Sequence, residues 1–110
     1  TRVIDNTATA AGGTARGGGI RNGASGQLTL KRSTVLGNTA SALGGTAQGG
    51  GIYHAGGSTT LNDSTVTGNK AGDGGGIFKA SGTVTLNNTV VKRNKPNNCA
   101  PPNSVPGCIG

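Results

Sequence analysis

The sequence predicts an all-β fold, a right-handed parallel β-helix (solenoid) of about three to four coils with a disulfide-closed C-terminal cap. Three observations predict it. One motif recurs along the chain, its apolar residues alternate over short runs, and glycine and asparagine mark the ends of those runs. The right hand follows from the strong preference of crossover connections between parallel strands.

The recurring motif begins with a glycine triplet and an isoleucine, at positions 17–20, 49–52 and 74–77. Asparagines close the repeats at spacings of 32, 31 and 25 residues, namely Asn6, Asn38, Asn69 and Asn94. The segments from isoleucine to asparagine hardly vary in length, whereas the segment before isoleucine is shorter in the third repeat. A solenoid accepts insertions in this way, because the rungs keep their length while one corner bulges outward.

Within each repeat, apolar residues alternate with threonine and serine, as in Leu28-Thr29-Leu30 and Ser64-Thr65-Val66. Alternation over three or four residues is typical of short strands. Stacked at about 4.8 Å, such strands form parallel sheets in which each residue lies on its counterpart from the next repeat. The predicted interior columns are Ile20/Ile52/Ile77, Leu30/Leu61/Leu86 and Val35/Val66/Val91.

The corners are predicted from asparagine and glycine. An asparagine at the same corner of every coil can hydrogen-bond to the coils above and below, and it tolerates a left-handed backbone. Glycine triplets suit corners with positive φ and close approach between coils. Both features are interpreted as structural.

Two insertions, at 7–16 and 39–48, are near copies of one another. We expect them to lie one on the other as a two-layer flap that the third repeat lacks. The missing layer predicts a step in the outer surface, where a ligand groove is expected beside Arg16, Gln48 and Asp73.

The strings GGGIY at 49–53 and TTLNDSTVTGNKA at 59–71 resemble the repeats of secreted, actinobacterial-type right-handed parallel β-helix proteins. They are more distantly similar to the repeats of polymorphic outer-membrane proteins. The resemblance extends over nearly the whole chain and includes the ending at 94–99. It implies the fold and export from the cell, and it implies no catalytic residues.

The chain is predicted to divide into coils over residues 1–94, the first of them incomplete, and a proline-rich cap over residues 95–110. Cys99 and Cys108 are the two cysteines, and their separation predicts a disulfide that closes the cap. A disulfide indicates an oxidising compartment, so we expect a secreted or cell-surface protein. The uncapped first coil also suggests end-to-end self-association.

Ten lysines and arginines against three aspartates give a net charge of +7. Such a surface favours acidic partners, above all an acidic polysaccharide or cell-wall polymer. Nucleic acid is not expected, since stacking aromatics are scarce. We expect the candidate ligand surface on the outer face of the repeats, at Arg21, Tyr53, Phe78, His54 and Lys79, where an aromatic beside a cation suits a sugar.

Catalysis is not expected. Glycoside hydrolysis needs two carboxylates flanking one bond, and Asp5, Asp63 and Asp73 fall at different positions of the repeat. No cofactor, metal site or membrane span is predicted. The first hypothesis is therefore a non-catalytic extracellular module with a structural or adhesive role. The alternatives are a C-terminal fragment of a larger polysaccharide-degrading β-helix, and an ice-binding solenoid based on the rows of outward threonines.

Overall fold

The computed structural model describes all 110 residues, which form fifteen short strands and no helix. The all-β prediction is confirmed. In chain order the strands are β1 (Arg2–Ile4), β2 (Thr7–Ala11), β3 (Thr14–Arg16), β4 (Ile20–Asn22), β5 (Gln27–Lys31), β6 (Thr34–Leu36), β7 (Thr39–Leu43), β8 (Thr46–Gln48), β9 (Ile52–His54), β10 (Ser58–Asn62), β11 (Thr65–Thr67), β12 (Ile77–Lys79), β13 (Thr83–Asn87), β14 (Val90–Lys92) and β15 (Cys99–Ala100).

Every strand pairing is parallel, and each joins strands from neighbouring repeats. Five sheets result. We name the three larger ones after their interior residues: the valine sheet β1-β6-β11-β14, the leucine sheet β5-β10-β13 and the isoleucine sheet β4-β9-β12-β15. The other two, β2-β7 and β3-β8, have two strands each. Strands of two to five residues are too short to form an independent sheet, so each depends on its neighbours along the stack.

The register agrees with the three predicted interior columns. Ile52 pairs with Ile20 and Ile77, and Leu61 occupies the same middle position in its own column. Val66 lies between Val35 and Val91. These columns meet in one apolar core, whose fully buried members include Ile52, Leu61, Val66 and Ile77.

The corner asparagines form a continuous hydrogen-bonded ladder. The Asn69 Oδ1 accepts from the backbone N–H of Asn38 at 2.8 Å and from its Nδ2 at 3.0 Å. The same pair of bonds joins Asn6 to Asn38 and Asn69 to Asn94. The ladder extends beyond Asn94, the last asparagine of the repeat, because the backbone N–H and the Nδ2 of Asn94 donate to the Oδ1 of Asn98.

The glycine triplet at 49–51 turns a corner where coils approach closely. Gly49 has a φ of 70°, which side chains rarely adopt. A Cβ on Gly51 would lie 2.7 Å from the carbonyl oxygen of Gly76 in the next repeat, closer than real contacts allow. Glycine is required at this corner for both reasons.

The two insertions lie one on the other as expected. Residues of β2 pair with those of β7, and residues of β3 with those of β8, in parallel register throughout. We call these four strands the flap. Small side chains of the flap form a second apolar cluster, separate from the main core. Its buried members are Ala15, Ala40 and Ala47.

The predicted disulfide joins Cys99 to Cys108. Cys99 belongs to β15, which pairs with β12 at the C-terminal edge of the isoleucine sheet. Val105, inside the loop that the disulfide closes, is 2% exposed and packs in the main core. The Nδ2 of Asn98 donates to the carbonyl oxygen of Ile109 at 2.8 Å, which attaches the end of the chain to the asparagine ladder.

Candidate functional site

The predicted aromatic column exists, but it is not an open platform. Arg21, Tyr53 and Phe78 are in register, and the two rings stack with centroids 5.6 Å apart and planes 4° from parallel. Tyr53 is only 5% exposed and Phe78 9%. The expectation that these rings lie on an exposed outer face is therefore wrong.

The flap explains why Tyr53 is covered. Arg16, at the end of β3, places its guanidinium 5.3 Å from the centre of the Tyr53 ring, and Arg21 places its own at 6.0 Å. Ala100 of the cap belongs to the same cluster as Phe78. Cations and the cap thus cover the rings, and the column stabilises the stack through cation–π and aromatic contact.

His54 is also misplaced by the sequence prediction, since it is completely buried. Its Nδ1 lies 2.8 Å from the Thr59 Oγ1, and the Asn22 Nδ2 donates to the same hydroxyl at 3.0 Å. Its Nε2 has no hydrogen-bond partner. Burial lowers the pKa of His54, and the charge of Lys79 lowers it further, against an opposing contribution from the backbone of Gly57.

Arg16, Gln48 and Asp73 are brought together as neighbours in successive repeats. The Arg16 Nε donates to the Gln48 Oε1 at 3.5 Å. Gln48 and Asp73 are paired through their backbones in an isolated parallel β-bridge. The Asp73 carboxylate accepts from the Asn97 Nδ2 at 3.1 Å. These three residues do not line the concavity at the step, whose walls come from other residues of β7 and of the corner at 70–73.

The largest concavity of the molecule is a polar groove of about 630 Å³ that sequence reasoning did not select. It runs across three repeats at the corner that follows the leucine sheet. No apolar residue lines it. We call it the polar groove. It is lined by Lys31, Arg32, Asn62, Asp63, Asn87 and Asn88.

A left-handed corner creates this groove. Arg32, Asp63 and Asn88 all have positive φ, between 48° and 51°. A residue in that conformation breaks the alternation of a strand, so two successive side chains can line the same outer surface. Backbone bonds from Arg32 to Asn62 at 2.9 Å and from Asp63 to Asn87 at 3.0 Å hold the three layers in place.

The side chains of the groove already form a hydrogen-bonded pattern. The Asn87 Nδ2 donates to the Asn62 Oδ1 at 2.9 Å, and the Asn88 Nδ2 donates to an Asp63 carboxylate oxygen at 2.7 Å. Lys31 and Arg32 supply two exposed cations at the layer nearest the N-terminus. The groove therefore offers charge and amide groups to a polar ligand.

Two other kinds of site have no counterpart in the structure. No group of three or more His, Cys, Asp or Glu side chains is arranged to hold a metal ion. The molecule has no helix of sufficient length and apolarity to cross a membrane.

Comparison with protein-family models, curated proteins and solved structures finds no match to this chain.

The sequence contained signals for the burial of His54 and for the residues that line the groove. Strict alternation places Ile52 inward, Tyr53 outward and His54 inward again, so His54 belongs to the core face. The stacking of the groove's residues was also visible, because Lys31-Arg32, Asn62-Asp63 and Asn87-Asn88 follow the leucine column at the same register.

Proposed function

We propose that this chain is a non-catalytic extracellular module, folded as a right-handed parallel β-helix, that binds an acidic polysaccharide in the polar groove. The fold proposal is supported by the regular addition of one strand per repeat to each sheet. Residues 1–94 form its coils and residues 95–110 its cap. Secretion or display at the cell surface is supported by the disulfide, which is typical of oxidising compartments.

The observation that carries the binding proposal is that charged and amide residues alone line the groove, across three stacked corners. Amide side chains such as those of Asn62 and Asn87 donate to and accept from sugar hydroxyls, while Lys31 and Arg32 attract carboxylates. A groove that crosses the repeats suits an extended polymer better than a small ligand. The net charge of +7 favours the approach of an anionic chain.

Catalysis is not part of the proposal. Asp63 is the single acid of the groove, and it accepts a hydrogen bond from Asn88. Glycoside hydrolysis by the usual route requires a second carboxylate across the bond, and the groove holds none.

The test is affinity electrophoresis of the 110-residue protein through gels containing polygalacturonate or neutral dextran, at low and moderate salt. We expect retardation by polygalacturonate that persists at moderate salt. The matched variants are Lys31→Gln in the groove and Lys92→Gln outside it, which remove the same charge. Specific binding predicts that only Lys31→Gln loses retardation. Equal losses, or retardation abolished by salt, would reduce the interaction to net charge and reject the proposal.

A second candidate, ice binding, is favoured by one observation. Thr29, Thr60 and Thr85 stand in register on the outer face of the leucine sheet. Rows of hydroxyl and methyl groups at strand spacing form a flat, regular surface. Thermal hysteresis of the wild-type protein, lost in Thr60→Lys but kept in Lys31→Gln, would favour this candidate over the polysaccharide.

A further inference from the structure

The flap has an unfilled third layer. Strands β2 and β7 form two layers, and the third repeat has no strand to place against the far edge of β7. In its place the chain makes a short corner at 70–73, where Lys70 meets Thr39 in an isolated bridge. Between β7 and this corner lies a cavity of about 270 Å³, which corresponds to the predicted step.

Backbone groups on the free edge of β7 face this cavity. Thr39 donates its N–H to Asn6, and Leu43 accepts from Gly12, so the odd-numbered residues of β7 bond toward β2. In a parallel strand the intervening residues bond to the opposite side. Ala40 does so, because its N–H donates to the Lys70 carbonyl at 2.9 Å. The backbone of Ala42 points the same way, and Ala42 lines the cavity. Its carbonyl accepts from the N–H of Gly45 at 3.3 Å, so Ala42 offers its N–H to the cavity.

The walls and charges of the cavity limit what can enter it. Its walls are small residues, among them Ala40, Ala42 and Gly72, which leave room for a backbone but little for large side chains. Lys70 also lines it. A backbone β-bridge pairs Lys70 with Lys95 of the next layer, so two exposed cations lie side by side. An occupant with a negative charge would relieve their mutual repulsion.

We infer that this cavity binds a short acidic peptide in extended conformation, which pairs with the free edge of β7 as a third layer of the flap. Strand addition of this kind draws affinity from main-chain hydrogen bonds and specificity from side-chain pockets. The peptide has small residues over Ala40 and Ala42 and a carboxylate near Lys70. This surface shares no residue with the polar groove, so the inference does not depend on the proposed function.

The probe is a peptide that imitates the flap strand, acetyl-Glu-Ala-Ser-Ala-Ala-amide, added to ¹⁵N-labelled protein at millimolar concentration and followed by amide chemical shifts. We expect shifts confined to the segments 40–45 and 70–73. Two further peptides carry N-methyl groups, one on odd residues and one on even residues. Only one edge of a bound strand faces β7, so one of these peptides should fail to bind while the other binds like the parent.

The charge is tested with Lys70→Gln, whose exposed side chain is replaceable without altering the backbone bridge. We expect the Kd of the parent peptide to rise about threefold, within the range of one exposed ion pair. The absence of shifts at 40–45, equal binding by both N-methylated peptides, or shifts at Asn62 and Asn87 instead would overturn the inference. Line broadening of residues 40–45 with protein concentration alone would overturn it in favour of a second copy.

Discussion

The Nδ1 of His54 lies 2.8 Å from the Thr59 Oγ1, inside the stack, where neither side chain is exposed to solvent. A titratable ring thus occupies a core position between Asn22 and Lys79 in its column. Its Nε2 lacks a partner, and a proton there would place a charge in the interior. The stability of the fold therefore depends on the protonation of this ring.

We predict that the free energy of unfolding falls as the pH is lowered below about 6.5. Burial lowers the folded-state pKa of His54 from its ordinary value of 6.5. The unfolded chain takes up a proton near that ordinary value, whereas the folded chain does so only at lower pH, so protonation favours unfolding. The loss is about 1.4 kcal/mol per pH unit between the unfolded and folded pKa values.

Urea unfolding at pH 7.5, 6.0 and 5.0 measures this effect, with His54→Gln as the control. The variant should be less stable at pH 7.5 but should vary less over the same range. Identical pH dependence in the two proteins would show that other groups cause the loss.

The asparagine ladder provides a second prediction, since its members differ in the number of bonds they make. Asn69 accepts from Asn38 through Oδ1 and donates to Val35 and Asn94 through Nδ2. The Asn6 side chain donates only to Asn38. We expect Asn69→Ala to lower the free energy of unfolding by about 3 kcal/mol and Asn6→Ala by about 1 kcal/mol. Urea titrations of both variants at pH 7.5 test this, and equal losses would contradict a role for the middle of the ladder.

The disulfide of the cap provides a third prediction. Cys99 and Cys108 close a loop with a sequence separation of 9, and Val105 inside it packs in the main core. Reduction should lower the free energy of unfolding by about 2–3 kcal/mol, because the unfolded chain gains freedom. Urea unfolding with and without dithiothreitol measures the change. The double variant Cys99→Ser/Cys108→Ser should be insensitive to the reductant, and a wild-type protein equally insensitive would refute the prediction.

Much of the fold is predictable because the repeat defines its own register. Ile52 and Leu61 align with their counterparts in the other repeats from the sequence alone. In a parallel stack, residues that align in this way lie next to one another in adjacent coils. Asn98 escaped prediction because it extends the ladder only four residues after Asn94, outside the repeat spacing. The covering of Tyr53 by Arg16 depends on how the flap folds back, which no local pattern encodes.

The polar groove was missed for a different reason. Sequence reasoning looked for aromatic residues beside cations, and the groove has none. Its form depends on the left-handed conformation of Arg32, Asp63 and Asn88, and the arginine gives no local signal for that conformation. The stacked pairs were visible, but the concavity between them is a property of the backbone.

A fourth prediction concerns the left-handed position that precedes each ladder asparagine. Gly37 and Gly68 occupy it with φ of 68° and 66°, whereas Asp5 and Arg93 occupy it with φ of 57° and 56°. Arginine and alanine are strained there by about 1 kcal/mol relative to glycine. We therefore expect Arg93→Gly to be more stable than Arg93→Ala by about that amount, although both remove the same charged group.

The adjacent residue supplies the control for this comparison. Lys92 lies in β14, where glycine weakens a strand by about 0.5–1 kcal/mol relative to alanine. Lys92→Gly should therefore be less stable than Lys92→Ala, the reverse of the order at Arg93. Thermal unfolding of the four variants measures both differences. If the alanine variant is the more stable one at both positions, Arg93 is not strained. If the glycine variant is the more stable one at position 93 and the alanine variant at position 92, the corner selects glycine for its backbone conformation.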